Sequence, residues 1–83
     1  MEPLLDLKHQ LASLVDVLVP LGIPLGQARD AFERQYILAA LMHHDGNLGR
    51  AADALGIHRN TLRNKVRHLG LGDDIQALRR QLE

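Results

Sequence analysis

The sequence contains no cysteine, no tryptophan and only two aromatic residues, Phe32 and Tyr36. Without cysteine, the chain can form neither a disulfide framework nor a thiolate metal site. Without aromatics, its core must be built from Leu, Ala, Val and Ile, which suits packed helices better than a sheet. At 83 residues the chain is one domain at most, with little core to spare. Association with itself or with a partner is the usual remedy for such a chain.

A long hydrophobic run and a targeting segment are also absent. No apolar stretch approaches the roughly 18 residues that a membrane span needs. Met1 is followed by Glu2 and Pro3 rather than by the basic segment of a secretory signal. The sequence therefore predicts a cytoplasmic protein without a membrane partner.

Side chains that could support catalysis or bind a metal ion are few and poorly spaced. His43 and His44 are adjacent, so they point in different directions on a helix, and no two histidines stand four residues apart to chelate zinc. No serine nucleophile has a plausible base nearby, and no glycine-rich phosphate loop is present. We therefore expect a chain that is not an enzyme and needs no metal or cofactor.

Charge is balanced overall but unevenly distributed. Residues 1–45 carry three basic and six acidic side chains, for a net charge of −3. Residues 46–72 carry five basic side chains against Asp53 alone, for +4, and residues 73–83 carry −1. The central segment can therefore produce a positive local field in a protein that is neutral as a whole.

Residues 4–19 follow the pattern of an amphipathic helix. Leucine recurs at both seam positions of a heptad: Leu4, Leu7, Leu11, Leu14 and Leu18. An ordinary surface helix and a dimer seam both fit this stripe. Three heptad positions, at Leu4, Leu11 and Leu18, are too few for a free coiled coil, so a seam here would belong to a helical bundle. Pro20 ends the helix and begins an irregular linker over residues 20–26.

Residues 27–44 predict the longest helix. Its later part is apolar over most of its circumference, so it must be covered on several sides. In a chain this short, a second copy of the molecule is the expected source of that cover. We therefore expect residues 4–45 to form a dimerisation region, and residues 4–19 and 27–44 to form the contact between two copies.

Residues 46–70 combine two short helices with a tight turn. Asn47 can cap a helix over residues 48–55, and Gly56 supplies the positive backbone dihedral that the turn needs. The first helix is rich in alanine, so its axis can approach closely to the second, over residues 58–69. The second is basic and amphipathic. This is the pattern of a helix-turn-helix.

The outer face of this second helix carries the side-chain types that recognise DNA. Arginine forms paired hydrogen bonds with guanine, asparagine does so with adenine, and threonine or lysine can bind phosphate. A basic face alone could serve only solubility, but the turn and the small preceding helix favour double-stranded DNA as the partner of residues 46–72. The candidate contacts are Arg59, Asn60, Thr61, Arg63, Lys65 and Arg67.

Residues 73–83 predict a short last helix with Asp73 as its cap. Ile75, Leu78 and Leu82 would line one face of it. No strand-like alternation and no repeat stands out. The sequence therefore predicts a single all-α domain over residues 1–83.

The segment GNLGRAADALGIHRNTLRNKVRHLGL resembles the Fis-type helix-turn-helix, found in the nucleoid protein Fis and in NtrC-type bacterial enhancer-binding activators. The family pattern runs G-N, R-A-A-x-x-L-G-I, a small polar residue, R-x-T-L, a basic run, and Y-G-L or L-G-L. The stretch AFERQYILAAL at residues 31–41 is similar to the F-E-R-x-Y-I motif on the family's dimer helix. The resemblance covers residues 25–72.

The resemblance implies a Fis-like fold, in which two subunits intertwine as a dimeric helical bundle with a C-terminal helix-turn-helix. It implies a nucleoid-associated homodimer in bacterial transcription regulation, with both copies of helix 58–69 inserted into successive major grooves. It also adds Asn47 and His58 to the DNA contacts. Gly49, His58 and Asn64 depart from the family's frequent residues, which predicts a missing phosphate contact at Gly49 and weaker non-specific affinity at Asn64.

Two alternatives stay open at this point. The chain could be a helical protein-interaction module that dimerises and has no DNA role. If it does bind DNA, it could be a domain of a larger activator or a free-standing Fis-like protein.

Overall fold

The computed structural model describes residues 3–81, which form five α-helices and no strand. The helices are α1 (Pro3–Leu18), α2 (Leu25–His43), α3 (Leu48–Leu55), α4 (Arg59–His68) and α5 (Gly72–Gln81). The predicted all-α class is confirmed. Leu82, which was expected on the inner face of the last helix, lies outside the described residues, as do Met1, Glu2 and Glu83.

Two predicted helix starts are wrong. The linker was expected to stay irregular to residue 26, but α2 begins at Leu25, because the extended Pro24 acts as its N-cap and its carbonyl accepts the amide of Ala28. Likewise Asp73 does not cap α5. The helix begins one residue earlier, with the Ile75 amide bonded to the carbonyl of Leu71, so Asp73 lies inside the first turn.

The other ends shift by a single residue. The first helix spans Pro3–Leu18 rather than 4–19, and α2 ends at His43 rather than at residue 44. His58 and Leu69, expected within the basic helix, are its two caps. Beyond the end of α2, the backbone turns to positive φ at Asp45 and Gly46.

The hydrophobic core lies where α2 meets the three helices that follow it. Leu41, Leu62 and Leu71 are its largest fully buried side chains, one each from α2, α4 and the link to α5. Ala51 and Ala52 are also buried, so α3 can pack closely against its neighbours. The remaining core residues are Ile37, Val66 and Ile75.

By contrast, α1 contributes no buried residue. Leu4, Leu7, Leu11 and Leu14 are between 44% and 68% exposed. The radius of gyration is 14.7 Å, whereas a compact chain of this length has a value of about 12 Å. Within the described residues, the fold therefore consists of a packed C-terminal part and an N-terminal helix whose apolar stripe is uncovered.

Candidate nucleic-acid interface

The turn between α3 and α4 sets the angle at which α4 is presented. Gly56 ends α3 in the left-handed conformation, with φ 70° and ψ 28°, where a side chain would be strained. The Ile57 amide then donates to the carbonyl of Ala52 at 3.0 Å, and its half-buried side chain packs against the core. The predicted role of Gly56 in the turn is confirmed. α4 is thus fixed to α3 by backbone bonds and by packing.

Two of the candidate DNA contacts cap the helices. Asn47 Oδ1 accepts the backbone amide of Arg50 at 3.0 Å, as the sequence predicted, and His58 Nδ1 accepts the amide of Asn60 at 3.0 Å. Because Nδ1 is an acceptor here, the neutral ring of His58 carries its proton on Nε2. The exposed Nε2–H of His58 and the amide nitrogen of Asn47 remain available as donors to a phosphate oxygen.

α4 has a buried side and a polar side. Leu62 and Val66 are 0% and 8% exposed and hold the helix to the core. Asn60, Arg63 and Arg67 are exposed and follow one another at spacings of three and four residues, so they form a continuous stripe. The exposed Asn64 lies in the same stripe. α4 therefore presents amide and guanidinium groups along one face.

Seven of the eight candidate contacts are exposed, and one is not. The exposed residues are Asn47, His58, Arg59, Asn60, Thr61, Arg63 and Arg67. Lys65 is half-buried, and its Nζ donates to both carboxylate oxygens of Glu33 on α2, at 3.2 and 3.3 Å. The structure thus places Lys65 between α4 and α2, apart from the arginine stripe.

Two further polar contacts join α2 to α4 and α5. His68 Nε2 on α4 lies 3.5 Å from Asp30 Oδ2 on α2, and Arg34 of α2 donates to Asp74 of α5 at 3.2 Å. The acidic residues of α2 that face α4 are therefore on the side of Lys65 and His68. The arginine stripe on the other side has no acidic partner within ion-pair distance among residues 3–81. Its positive field is left unneutralised.

Arg59 occupies a different position at the entrance to α4. Its guanidinium lies over Gly49 near the start of α3: a Cβ built on Gly49 would stand 2.7 Å from Arg59 Nη2. Arg59, His58 and Asn60 line a groove together with Gly49 and Asp53. The start of α3 and the start of α4 thus meet at one surface.

Sequence reasoning missed the parts played by Glu33 and Gly49. Glu33 lies 32 positions before its partner, and no local pattern could have paired the two. Gly49 did stand out as a departure from the family pattern, which was the available signal, but its contact with Arg59 was not foreseen. Within the described residues, no three histidine or carboxylate side chains cluster as a metal site would require. None of the described helices is both long and apolar enough to cross a membrane.

Comparison with known proteins gives a consistent family assignment. Residues 28–69, half of the chain, match the family described as Bacterial regulatory protein, Fis family. The DNA-binding transcriptional regulator NtrC of Rhizobium meliloti is 42% identical over 66 residues, which are 80% of this chain and 13% of that protein. The nitrogen assimilation regulatory protein NtrX of Azorhizobium caulinodans is 40% identical over 52 residues, 63% of this chain and 12% of that protein.

A third relative, the propane 2-monooxygenase operon transcriptional activator MimR of Mycolicibacterium goodii, is 40% identical over 42 residues, 51% of this chain and 7% of that protein. The chain thus spans only a small part of these curated relatives. No solved structure matches it.

Proposed function

The chain belongs to the Fis family of bacterial regulatory proteins, and from that premise we propose that it acts as a homodimer that inserts α4 into the major groove of DNA. DNA-binding transcription regulation follows from the family and from its relatives. The observation that carries the finer proposal is the exposed stripe of Asn60, Arg63 and Arg67, held outward by the burial of Leu62 and Val66. A protein that binds the bacterial chromosome would work in the cytoplasm, at the nucleoid.

The chemistry of the stripe suits base edges and phosphates together. Arg63 can form two hydrogen bonds with guanine, and Asn60 can do the same with adenine. Thr61, His58 and Asn47 present single donors, which suit phosphate oxygens and would fix the register of the helix on the duplex. Because α4 leaves its polar side uncovered, all of these groups can reach DNA without a change in the fold.

A second copy of the chain is the proposed cover for the apolar stripe of α1. A folded monomer of 9.2 kDa has an accessible surface of about 4,900 Å². This chain exposes 6552 Å², an excess of about 1,600 Å² over that value. If each of two copies buried its excess, the interface would total about 3,200 Å², which lies within the range of obligate homodimers.

The residues that create this excess lie where the sequence placed the dimer contact. Apart from Leu18, which is half-buried, every leucine of the α1 heptad is exposed, and Phe32 and Met42 of α2 are 52% and 59% exposed. A groove between the end of α1 and the start of α2 is lined mainly by apolar side chains, among them Leu14, Ile23 and Phe32. Contact between two copies through residues 4–19 and 27–44 would cover both features. It would also hold two copies of α4 at a fixed spacing and so multiply their affinity for DNA.

Salt dependence tests DNA binding. We expect the chain to bind genomic duplex fragments at about 50 mM salt and to lose about 100-fold or more in affinity at about 200 mM, because binding releases counterions from the phosphates. Fluorescence anisotropy at both salt concentrations measures this. We expect Arg63→Ala to cost about 1–3 kcal/mol of binding free energy.

Arg80→Ala is the matched control, since Arg80 is an exposed arginine of α5, outside the stripe. It should leave the affinity almost unchanged. Absence of binding to every fragment at low salt, together with self-association in solution, would favour the protein-interaction module instead. An equal loss in both arginine variants would show that only net charge matters and that α4 is not the element that binds.

A further inference from the structure

Gly49 is the second residue of α3, a position at which the backbone conformation does not require glycine. Its φ is not positive, unlike that of the turn glycines such as Gly56 and Gly70. Glycine is among the least favourable residues inside a helix, because it loses the most backbone freedom on folding. In an eight-residue helix, the absence of a side chain at this position therefore calls for a reason outside the helix.

The guanidinium of Arg59 supplies that reason. A Cβ on Gly49 would lie 2.7 Å from Nη2 and 3.4 Å from both Cζ and Nε of Arg59. The space that a side chain would fill is thus occupied by the flexible end of an exposed arginine. Any larger residue at position 49 would displace that end, at little cost, toward solvent.

Gly26 provides an internal comparison. It is the second residue of α2, as Gly49 is of α3, and each follows a leucine. A Cβ built on Gly26 meets nothing within 4 Å. The two glycines therefore share their helix position and their preceding residue. They differ in that an arginine side chain lies over Gly49 and none lies over Gly26.

We propose that Gly49 is a positioning residue for Arg59 and that it lowers the sequence specificity of DNA binding; this rests on the proposed function. Arg59 is the first residue of α4, and the side chains of a helix lean toward its N-terminus, the end that approaches base edges. In the structure, the guanidinium lies over Gly49 at the start of α3. The proposal requires a second pose of Arg59, in which the guanidinium leaves Gly49 and reaches a guanine.

The effect on DNA binding depends on how often the Arg59 side chain adopts each pose. The apparent affinity of a contact falls in proportion to the fraction of time that its group spends in the competent pose. A methyl group at position 49 removes the folded-back pose and leaves Arg59 directed toward the groove. Affinity for a preferred duplex should rise, while affinity for a scrambled duplex, which depends on phosphate contacts, should change little.

The pose is tested on the free protein, without DNA. We expect Gly49→Ala to shift the NMR signal of the Arg59 Nε–Hε group, and Gly26→Ala to leave it in place. Both variants should keep the wild-type circular dichroism. If the Arg59 signal is the same in wild type and Gly49→Ala, the contact is absent and the proposal is overturned.

Specificity is tested with preferred and scrambled duplexes of equal length. Gly49→Ala should raise the ratio of the two dissociation constants by about threefold or more, and Gly26→Ala should not. In the Arg59→Ala background, Gly49→Ala should have no effect on the ratio. A change of equal size in both backgrounds, or no change in either, would overturn the proposal. If the wild type binds no DNA at all, the proposed function fails, while the NMR result still decides whether Gly49 positions Arg59.

Discussion

Half of the 16 residues of α1 are leucine or valine, yet none is buried, whereas α4 has only two apolar residues among ten, Leu62 and Val66, and both are buried. Hydrophobicity alone therefore does not decide which helix is packed. α4 lies beside helices of its own chain that complement it, and α1 does not. The apolar residues of α4 thus serve folding within one chain, whereas those of α1 are left for the proposed contact between chains.

This division also separates the two tasks of the proposed dimer. Because Leu62 and Val66 are buried within their own chain, the polar side of α4 is left for DNA in this proposal. Because the apolar stripe of α1 is exposed in the single chain, it is left for a second copy. Each helix thus keeps one side for a partner, and the chemistry of that side matches the partner: guanidinium and amide groups for DNA, leucine side chains for another leucine stripe.

The largest effect should come from the packed part. Leu41→Ala removes a fully buried side chain from the centre of the core, and we expect a loss of about 2–5 kcal/mol in the free energy of unfolding. Leu25→Ala makes the same change in the same helix, at a side chain that is 82% exposed, and should cost about 0.5 kcal/mol or less. Urea denaturation followed by circular dichroism measures both. Similar losses in the two variants would contradict the division between packed and uncovered parts.

The packed part is also where sequence reasoning succeeded. The bounds of α3, its cap at Asn47 and the turn at Gly56 were all predicted, because each depends on residues a few positions apart. Helix caps and left-handed glycines are local devices whose residue preferences are strong. The amphipathic character of α4 was predicted for the same reason, and Leu62 and Val66 are its buried residues.

Sequence reasoning was incomplete where the deciding contact is distant or ambiguous. Lys65 was predicted to contact DNA because it lies on a basic helix, and that stays a prediction. Its contact with Glu33, 32 residues away, could not be foreseen. Asp73 is a good N-cap residue by type, yet α5 begins one residue earlier, on the carbonyl of Leu71. What covers the exposed leucines of α1 could not be predicted either, since Leu4, Leu7, Leu11 and Leu14 stay exposed in the single chain.

The next effect concerns the uncovered part. Leu11→Glu places a carboxylate in the stripe of α1, and in a dimer the change occurs twice. Since burial of one leucine contributes about 2 kcal/mol, we expect self-association to weaken by about 100-fold or more. Sedimentation equilibrium over a range of protein concentrations measures the dissociation constant.

Gln10→Glu is the control, because it adds the same charge at the neighbouring position, on the polar side of the helix. Its dissociation constant should stay close to that of the wild type. A monomeric wild type would remove the proposed role of α1, and equal weakening in both variants would point to net charge rather than to the apolar stripe.

The ion pairs of α2 lie at the border between the two parts. Asp30 and Glu33 reach α4 and Arg34 reaches α5, so these contacts connect the proposed dimer helix to the proposed DNA-binding helix and to α5. The side chains of Glu33 and Lys65 are 33% and 37% exposed, so solvent screens this pair and its contribution to stability is small. Its geometric effect is to hold the α4 flank against α2.

The smallest effect should therefore come from Lys65→Gln, which removes that border contact. We expect a loss of about 0.2–1 kcal/mol in the free energy of unfolding. In DNA binding, a lysine already paired with Glu33 releases few counterions, so the slope of log affinity against log salt should stay close to that of the wild type. Arg63→Gln changes an unpaired guanidinium on the same helix and should lower the slope by about 1 per protomer. Equal changes in slope for the two variants would show that Lys65 leaves Glu33 and binds a phosphate. The DNA-binding surface would then include the side of α4 that faces α2.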